Sequence, residues 1–229
     1  MFKKPKASFV IPVYNGQGFL AEAIQSCLDQ EYKEIEVIVV DDGSVDHTES
    51  VIDHYAKKDE RVIKVKIEKN AGRSNARNTG IDVATGSVIL MNDADDVSHK
   101  ERAGIVMRFF RKNTGISLMY GNFNIIDAVG KVYGYIKAER FDWGKAKEAK
   151  LMYIGHSSMA VRKDVFDKIR YTNGEFSNLA IDDWKFQFDC AKAGLKFGFV
   201  NRLLCDYRKL TRAPRDEKRI LELKQQCLA

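Results

Sequence analysis

The sequence lacks several features that would place it in a specialised class of protein. Its 229 residues include only three prolines and four cysteines, and the cysteines lie far apart, without the close pairs of a zinc site or a disulfide framework. We therefore expect reduced thiols. No apolar run is long enough to span a membrane, and the first six residues lack the apolar segment of a signal peptide. These absences predict a globular protein of the cytoplasm.

The net charge of +6 does not by itself indicate a nucleic-acid partner. Much of the excess lies in the first six residues and in the segment 208–219. A basic balance is compatible with nucleic acid, anionic lipid or a polyphosphate ligand. The chain has neither zinc ligands nor an aromatic-rich strand of the RNA-binding type, so we predict no nucleic-acid partner.

The first hundred residues alternate between strand and helix patterns. Strands are predicted at 7–13, 35–40, 62–67 and 88–91, and the helices between them at 19–30, at 46–55 and from the turn at 70–73 to about residue 84. Alternation of this kind predicts a parallel sheet covered by helices on both faces. In such sheets ligands bind beyond the carboxyl ends of the strands.

Polar loops follow all four predicted strands, at 14–15, 41–42, 70–77 and 93–96. The last of them carries Asp93, Asp95 and Asp96, which repel one another and would cost several kcal/mol if buried unpaired. A cation between them would remove this cost, and an oxygen-only ligand set suits Mg²⁺ or Mn²⁺. A solvated acidic turn is the alternative interpretation.

The pattern changes after residue 116. Two strands at 117–126 and 132–136 form a predicted hairpin around 127–130. A charged helical linker at 142–151, a strand at 157–161 and a short helix at 163–169 follow. The remaining predictions are a helix at 179–193, short strands at 197–200 and 204–207, and a helical tail at 214–228.

Two helix starts are predicted from capping patterns. Asp46 is followed three residues later by Glu49, and Ser98 by Glu101, the spacing of a capping box.

Five motifs together resemble those of the inverting, metal-dependent glycosyltransferases of family 2, which have the GT-A fold. They are FVIPVYN at 9–15, VVDDGS at 39–44, NAGRSNARNTG at 70–80, NDADD at 92–96 and IDDW at 181–184. Each is weak alone, but their order and spacing are specific. The resemblance covers residues 7 to about 210.

The resemblance implies one GT-A domain over 1–229, an α/β fold with a mostly parallel, Rossmann-like sheet, helices on both faces and a small β-hairpin acceptor region. Residues 7–100 would bind the nucleotide sugar, 101–210 the acceptor, and 211–229 would form a basic helical tail. The implied reaction moves a sugar from a donor, expected to be UDP-linked, to a hydroxyl of a glycan or lipid-linked glycan, with inversion and with Mn²⁺ or Mg²⁺.

The resemblance also assigns roles around the nucleotide. Pro12 and Tyr14 would flank the base, and Asp42 would accept a hydrogen bond from the base N3–H. Asp41 would hold its own loop or contact the ribose.

Charged residues are expected around the diphosphate. Arg73 and Arg77 lie four apart on one helical face, and guanidinium groups suit phosphate. Arg77 either contacts the donor or pairs with Asp42 or Asp93. Asp95 is the expected metal ligand, with Asp93 reaching the ribose or the metal shell.

Asp96 either binds the metal or caps the next helix together with Ser98. The family often has a His shortly after a Tyr-Arg pair, and this chain has Tyr207-Arg208 without one. Lys209, Arg212 or a flexible lid would then supply positive charge to the leaving group.

The acidic pair before Trp184 is expected to supply catalysis, with Asp183 taking the proton from the acceptor hydroxyl. Asp182 replaces the commoner Glu of the family, so its role is open. A helix N-terminal cap is the alternative for the pair. Trp184 either contacts the acceptor or belongs to the core, and His156 either lines the acceptor side or is structural.

Competing functions fit less well. A sugar nucleotidylyltransferase would need a basic residue in the loop 15–18, and a phosphorelay receiver domain needs only half this length. A catalytically silent nucleotide-sugar-binding or scaffold module stays open as the alternative. The tail either packs on the domain or a partner, or docks peripherally on the inner face of a membrane.

Overall fold

The computed structural model describes residues 4–149, 154–210 and 214–228, and in this part of the chain the strands form one nine-stranded sheet. The strands are β1 Ala7–Val13, β2 Ile35–Asp41, β3 Val62–Lys66, β4 Val88–Met91, β5 Val97–Ser98, β6 Leu118–Ile126, β7 Val132–Ile136, β8 Ala160–Arg162 and β9 Phe197–Arg208. The helices are α1 Leu20–Leu28, α2 Thr48–Lys58, α3 Arg73–Val83, α4 Arg102–Lys112, α5 Trp143–Ala149, α6 Glu175–Asn178, α7 Asp182–Lys192 and α8 Glu217–Leu228.

The sheet order is β3-β2-β1-β4-β8-β6-β9-β5, with β7 paired to the edge of β6. The first four strands are parallel, as the alternation of strands and helices predicts. Strand β8 then runs antiparallel between β4 and β6, and β9 runs parallel to β6. The loops after β1, β2 and β4 therefore open at one edge of the sheet.

The core lies on both faces of the sheet. Phe9 and Ile11 of β1 pack with residues of α1, α2 and α4, whereas Val10 packs with residues of α3 and α7 on the opposite face. A strand that is covered on both faces reads as a continuous apolar run, which explains the composition of β1, β2 and β4.

Gly80 allows α3 to lie close to the sheet. A Cβ atom at this position would lie 2.6 Å from Cγ1 of Val10 and 3.0 Å from Cγ2 of Val40. A larger side chain would push the helix away from β1 and β2. The glycine therefore fixes the height of α3, and with it the position of the arginines in its first two turns.

Both predicted capping boxes are wrong. Helix α2 begins at Thr48, and Asp46 accepts hydrogen bonds from the backbone N–H groups of Thr48 (2.9 Å) and Gln17 (3.2 Å). Glu49 pairs instead with lysines of β3. Ser98 lies in β5, where its hydroxyl donates to Oδ1 of Asn92 at 2.8 Å. The spacing of these residues in the sequence did not predict their hydrogen-bond and ion-pair partners.

Several elements of the second half also differ from the predictions. The predicted strand at 157–161 is a 3₁₀ turn, His156–Ser158, followed by the shorter β8. The predicted helix at 163–169 is a 3₁₀ helix, Lys163–Asp167. The two predicted strands at 197–200 and 204–207 are one strand, β9, because register shifts opposite Asn122 absorb the polar residues between them.

The helical tail packs on the domain. Ile220 and Leu223 of α8 are buried against Ile181, Trp184 and Phe188 at α7. This contact supports the packed alternative for the tail. Among the described residues, none of the helices combines the length and the apolar character of a membrane span.

Candidate active site

A cleft of about 230 Å³ lies at the edge of the sheet where α3, the loop after β4 and the start of α7 meet. Its lining includes six candidate residues that the sequence singles out: Arg73, Arg77, Asp93, His156, Asp182 and Asp183. Pro12, Tyr14, Asp42 and Asp95 are not among the lining residues of this cleft.

Arg77 joins two of the acidic motifs. Its guanidinium donates to Oδ2 of Asp182 through Nη1 and to Oδ1 of Asp93 through Nη2 at 2.9 Å, and it lies over the ring of Tyr171 at 5.3 Å. The side chain is buried, with 3% of its surface exposed. Burial alone would lower the pKa of Arg77, but the charges of Asp182 and Asp93 raise it above its usual value. Arg77 thus stays charged and holds the two carboxylates together.

Asp93 has a second close neighbour, His156. Nδ1 of His156 lies 3.3 Å from Oδ1 of Asp93, and the backbone N–H of Asp93 donates to Oγ of Ser157 at 3.0 Å. Burial would raise the pKa of the Asp93 carboxyl, but His156 and Arg77 hold it well below its usual range. His156 also contacts the hydroxyl of Tyr171 at 2.9 Å through Nε2. His156 is therefore both buried and part of the cleft.

Asp42 fixes the loop that leads into α3. Its two carboxylate oxygens accept the backbone N–H groups of Ala71 and Gly72, both at 2.9 Å. Asp41 behaves as the sequence predicts, because its Oδ1 accepts the N–H of Ser44 at 2.9 Å. Asp42 is almost completely buried, so its expected contact with a nucleotide base stays a prediction.

Tyr14 stands at the open end of β1. Half of its surface is exposed. The loop that carries it is tied to the loop after β2, since the N–H of Asn15 donates to Oγ of Ser44 at 2.9 Å and the N–H of Val45 donates to Oδ1 of Asn15 at 2.9 Å. An exposed ring on a fixed loop is suited to stacking on a planar group.

Arg208 holds the acidic loop after β4, a role that the sequence did not suggest. Its Nε donates to the carbonyl of Asp95 at 2.9 Å and its backbone N–H donates to Oδ1 of Asp96 at 2.8 Å. The guanidinium also pairs with Glu22 and lies over the ring of Phe19 at 4.9 Å. Arg208 is only 1% exposed, although it belongs to the basic segment 208–219. In the sequence, its position directly after Tyr207, in the Tyr-Arg pair of the family, was the feature that could have pointed to this role.

The carboxyl group of Asp96 is buried in the acidic loop, where negative charge is unfavourable. It is fully buried, and its Oδ2 has no hydrogen-bond partner among the residues that the structure describes. Burial, together with the charges of Asp93 and Asp95, raises the pKa of its carboxyl well above the usual value. The alternative in which Asp96 caps the next helix is wrong, because its other oxygen is bonded to Arg208.

The acidic loop supplies some of the ligands that a divalent cation needs. Within the described ranges no group of three or more His, Cys, Asp or Glu side chains is arranged to hold a metal ion. However, the buried and unpartnered oxygen of Asp96 lies in the same turn as Asp93 and Asp95, and burial together with these two negative charges raises the pKa of its carboxyl. Oxygen donors suit Mg²⁺ and Mn²⁺, which commonly keep part of their shell for water and substrate phosphate. The residues present are consistent with such a site.

The two acids at the start of α7 have different environments. Asp182 is 1% exposed and is bonded to Arg77 and, at 3.1 Å, to the hydroxyl of Ser74. Asp183 is partly exposed in the cleft, and its Oδ1 accepts the N–H of Trp184 at 2.7 Å. Asp183 is the member of the pair that remains available to a ligand.

A left-handed residue sets the start of α7. Ala180 has φ of 55°, which costs a non-glycine residue about 1 kcal/mol, and it separates α6 from α7, so the predicted helix at 179–193 begins only at Asp182. Trp184 then turns away from the cleft, because it is buried against Phe188 and lies under the ammonium group of Lys224 at 5.3 Å. Its packing supports the core alternative.

Positive charge on the open side of the cleft comes from Arg73 and from Arg215, which the sequence did not single out. Lys209 is exposed but does not line the cleft, and Arg212 lies outside the described residues.

Residues 8–170 match the model of the family described as Glycosyl transferase family 2. The chain belongs to this family. An uncharacterised glycosyltransferase of Methanocaldococcus jannaschii is 30% identical over 212 residues, which are 90% of this chain and 71% of the relative. Glycosyltransferase GlyG of Streptococcus pneumoniae is 26% identical over 218 residues, 88% of this chain and 70% of the relative.

Two solved structures share the fold of this chain. The crystal structure of S. aureus TarS 1–349 with UDP has a TM-score of 0.70 at 18% identity and covers 97% of this chain. The mannosyltransferase PcManGT of Pyrobaculum calidifontis, with GDP-Man and Mn²⁺, has a TM-score of 0.68 at 16% identity and also covers 97%. This chain spans 65% and 61% of those two chains. The predicted α/β GT-A fold is confirmed, and the protein is a family 2 glycosyltransferase.

Proposed function

We propose that this family 2 enzyme transfers a sugar from a nucleotide-sugar donor to a hydroxyl group of a glycan or lipid-linked glycan, with inversion of the anomeric centre. The observation that carries the proposal is the unequal environment of the acidic pair. Arg77 neutralises Asp182, whereas Asp183 faces the cleft that also contains Asp93. One carboxylate is thus available as a base beside the acidic loop.

Asp183 acts as the general base in this mechanism. Its carboxylate lies in the first turn of α7 and lines the cleft. It takes the proton of the acceptor hydroxyl as the oxygen attacks the anomeric carbon from the side opposite the nucleotide. A single displacement in this direction inverts the anomeric centre.

The remaining residues hold the donor. Tyr14 and Pro12 flank the base, with Asp42 at the buried end of the same loop cluster. Arg73 lies on the open side of the cleft, where its guanidinium can bind the diphosphate. Arg77 orients Asp93 toward the ribose rather than binding phosphate itself, because both of its terminal nitrogens are already engaged by carboxylates.

Asp95 and Asp93 would hold Mn²⁺ or Mg²⁺, with Asp96 as a further oxygen donor. The cation supplies charge stabilisation for the departing diphosphate when bound. Arg208 contributes by donating to the backbone carbonyl of Asp95 and, through its own N–H, to Oδ1 of Asp96, so the loop needs little rearrangement on binding.

The expectation of UDP as the nucleotide rests on the resemblance of the motif at 39–44 to that of the family, and TarS, which is crystallised with UDP and with UDP-GlcNAc, supports it. PcManGT is crystallised with GDP-Man and Mn²⁺, so GDP-linked sugars belong in the same test.

Thermal stabilisation by donors tests this proposal. UDP- and GDP-sugars are screened with and without Mn²⁺, and we expect one donor to raise the melting temperature only when Mn²⁺ is present. A ligand at 100 times its Kd stabilises the folded state by about 2.7 kcal/mol. The Asp95→Asn variant should lose the Mn²⁺-dependent part of the shift.

Asp53→Asn is the matched control, because Asp53 is exposed on α2 and pairs with Lys64 away from the cleft. Equal shifts in the Asp95→Asn variant and the wild type would remove Asp95 from the metal site. A shift without turnover of the donor would favour a silent binding module.

A further inference from the structure

A second cavity of about 590 Å³ adjoins the cleft on the side of the β6–β7 hairpin. The two spaces share Phe123, Ile154 and Gly155 as lining residues. A molecule that reaches Asp183 and extends past Gly155 would therefore enter the second cavity. Its volume lies in the usual range of ligand-binding pockets, about 300–1,000 Å³.

The wall of this cavity is held in place by strand β6. The hydroxyl of Tyr120 donates to the carbonyl of Glu139 at 2.5 Å, and Oδ1 of Asn122 accepts the N–H of Ala138 at 3.0 Å. Phe141 stacks on Phe197 with ring centroids 4.3 Å apart. The segment from Lys137 to Asp142, which forms one side of the cavity, is thus fixed before any ligand binds.

The lining combines ring faces with unpaired positive charge. Tyr120, Phe123 and Phe141 contribute aromatic surface, and Lys137, Arg140 and Lys145 contribute cations. Within the described residues none of these three cations forms an ion pair with a carboxylate, although Glu139 and Asp142 also line the cavity. Three unpaired cations beside one cavity favour an anionic ligand.

We propose that this cavity binds the sugar units of the acceptor next to the reacting sugar, and that these units carry an anionic group, a carboxylate or a phosphate. The inference rests on the proposed function. Sugar rings have apolar faces that pack on aromatic side chains and hydroxyls that hydrogen-bond to charged groups. A hydrocarbon chain would instead remove water from the five charged lining residues without replacing their hydrogen bonds.

Gly155 controls the passage between the two spaces. A Cβ atom at this position would lie 2.5 Å from Cε1 of Phe123 and 2.9 Å from two further atoms of the ring. Gly155→Ala must therefore displace Phe123 at the junction. Gly115→Ala is the matched control, because a Cβ atom there has no neighbour within 4 Å.

Binding of three tetramer probes and one lipid probe to the full chain tests the inference without the donor. Hyaluronan tetrasaccharide carries carboxylates, a tetramer of glycerol phosphate carries phosphates, and maltotetraose is neutral, while farnesyl phosphate represents the lipid alternative. We expect at least one acidic tetramer to bind, and the Arg140→Ala/Lys145→Ala variant to weaken it by about tenfold. The acidic tetramer that binds more tightly identifies the anionic group as a carboxylate or a phosphate.

Three further variants separate the effect of charge from the effect of cavity shape. Lys131→Ala removes one charge from the same hairpin outside the cavity and should change the affinity less than twofold. Gly155→Ala should weaken the acidic tetramer, whereas Gly115→Ala should not. The melting temperature of each variant establishes that it is folded.

The inference is overturned if neither acidic tetramer binds, if maltotetraose binds as tightly, if the double variant matches the wild type, or if farnesyl phosphate displaces the tetramer. These outcomes differ from a failure of the proposed function, which would appear in the wild type as the absence of any donor-dependent thermal shift.

Discussion

Asp183→Asn is expected to lower the rate of donor turnover by about 10²–10⁴, the usual contribution of a general base. The amide has the size of the carboxylate and can still accept the N–H of Trp184, so the start of α7 should keep its structure. It cannot take a proton from the acceptor hydroxyl at neutral pH. The loss should appear in kcat, with the Mn²⁺-dependent donor stabilisation retained.

Asp189→Asn provides the matched control for this experiment. Asp189 lies on the same helix, two turns further along, and pairs with Lys185 at a partly exposed position. We expect its replacement to change turnover little. Near-normal turnover in the Asp183→Asn variant would contradict the assignment of the base, and equal losses in both variants would indicate a general effect on α7.

Arg77→Met is expected to lower the free energy of unfolding by about 3–5 kcal/mol, because it leaves two carboxylates without their shared counter-charge. Asp182 is 1% exposed and keeps only the hydroxyl of Ser74 as a partner of the same oxygen. The measurement is urea unfolding at pH 7. A variant that removes both charges, Arg77→Met/Asp182→Leu, should recover part of the loss, since an apolar pair avoids the buried charge.

Arg170→Met is the comparison for a weak ion pair. Arg170 pairs with Asp82 at 2.8 Å, but both side chains are more than a third exposed, and such pairs contribute about 0–1 kcal/mol. If Arg77→Met costs no more than Arg170→Met, then Arg77 does not hold the acidic motifs together.

The first half of the fold could be predicted from the sequence because its elements are defined locally. β1, β2 and β4 are short apolar runs with both faces buried, and each is followed directly by its polar loop. The alternating strand and helix patterns predicted where four strands end, and they also predicted that these ends lie at one edge of the sheet. The GT-A resemblance depended on the same loops.

The unpredicted features depend on partners that are distant in the sequence. The contact between Arg77 and Asp182 joins residues 105 positions apart, and the bond between Arg208 and Asp96 spans 112. Arginine is rarely buried, so the basic composition of 208–219 gave no indication that Arg208 lies in the interior. The break at Ala180 could not be expected either, because alanine strongly favours right-handed helix.

The acidic pair shows how the structure sharpens an open assignment. The sequence placed Asp182 and Asp183 together before Trp184 and favoured Asp183 only through the family resemblance. The match to the family model ends at residue 170, before this pair. The hydrogen bonds of Asp182 to Arg77 and Ser74 supply an independent physical reason for the same choice.

The anomeric configuration of the first product tests the central claim most directly. The donor found in the thermal screen is turned over with Mn²⁺ and with water in place of the acceptor, and the released sugar is followed by proton NMR before mutarotation equilibrates its two anomers. A single displacement assisted by Asp183 predicts that the new product first appears with the anomeric configuration opposite to that of the donor. A product that first appears with the configuration of the donor would contradict the mechanism.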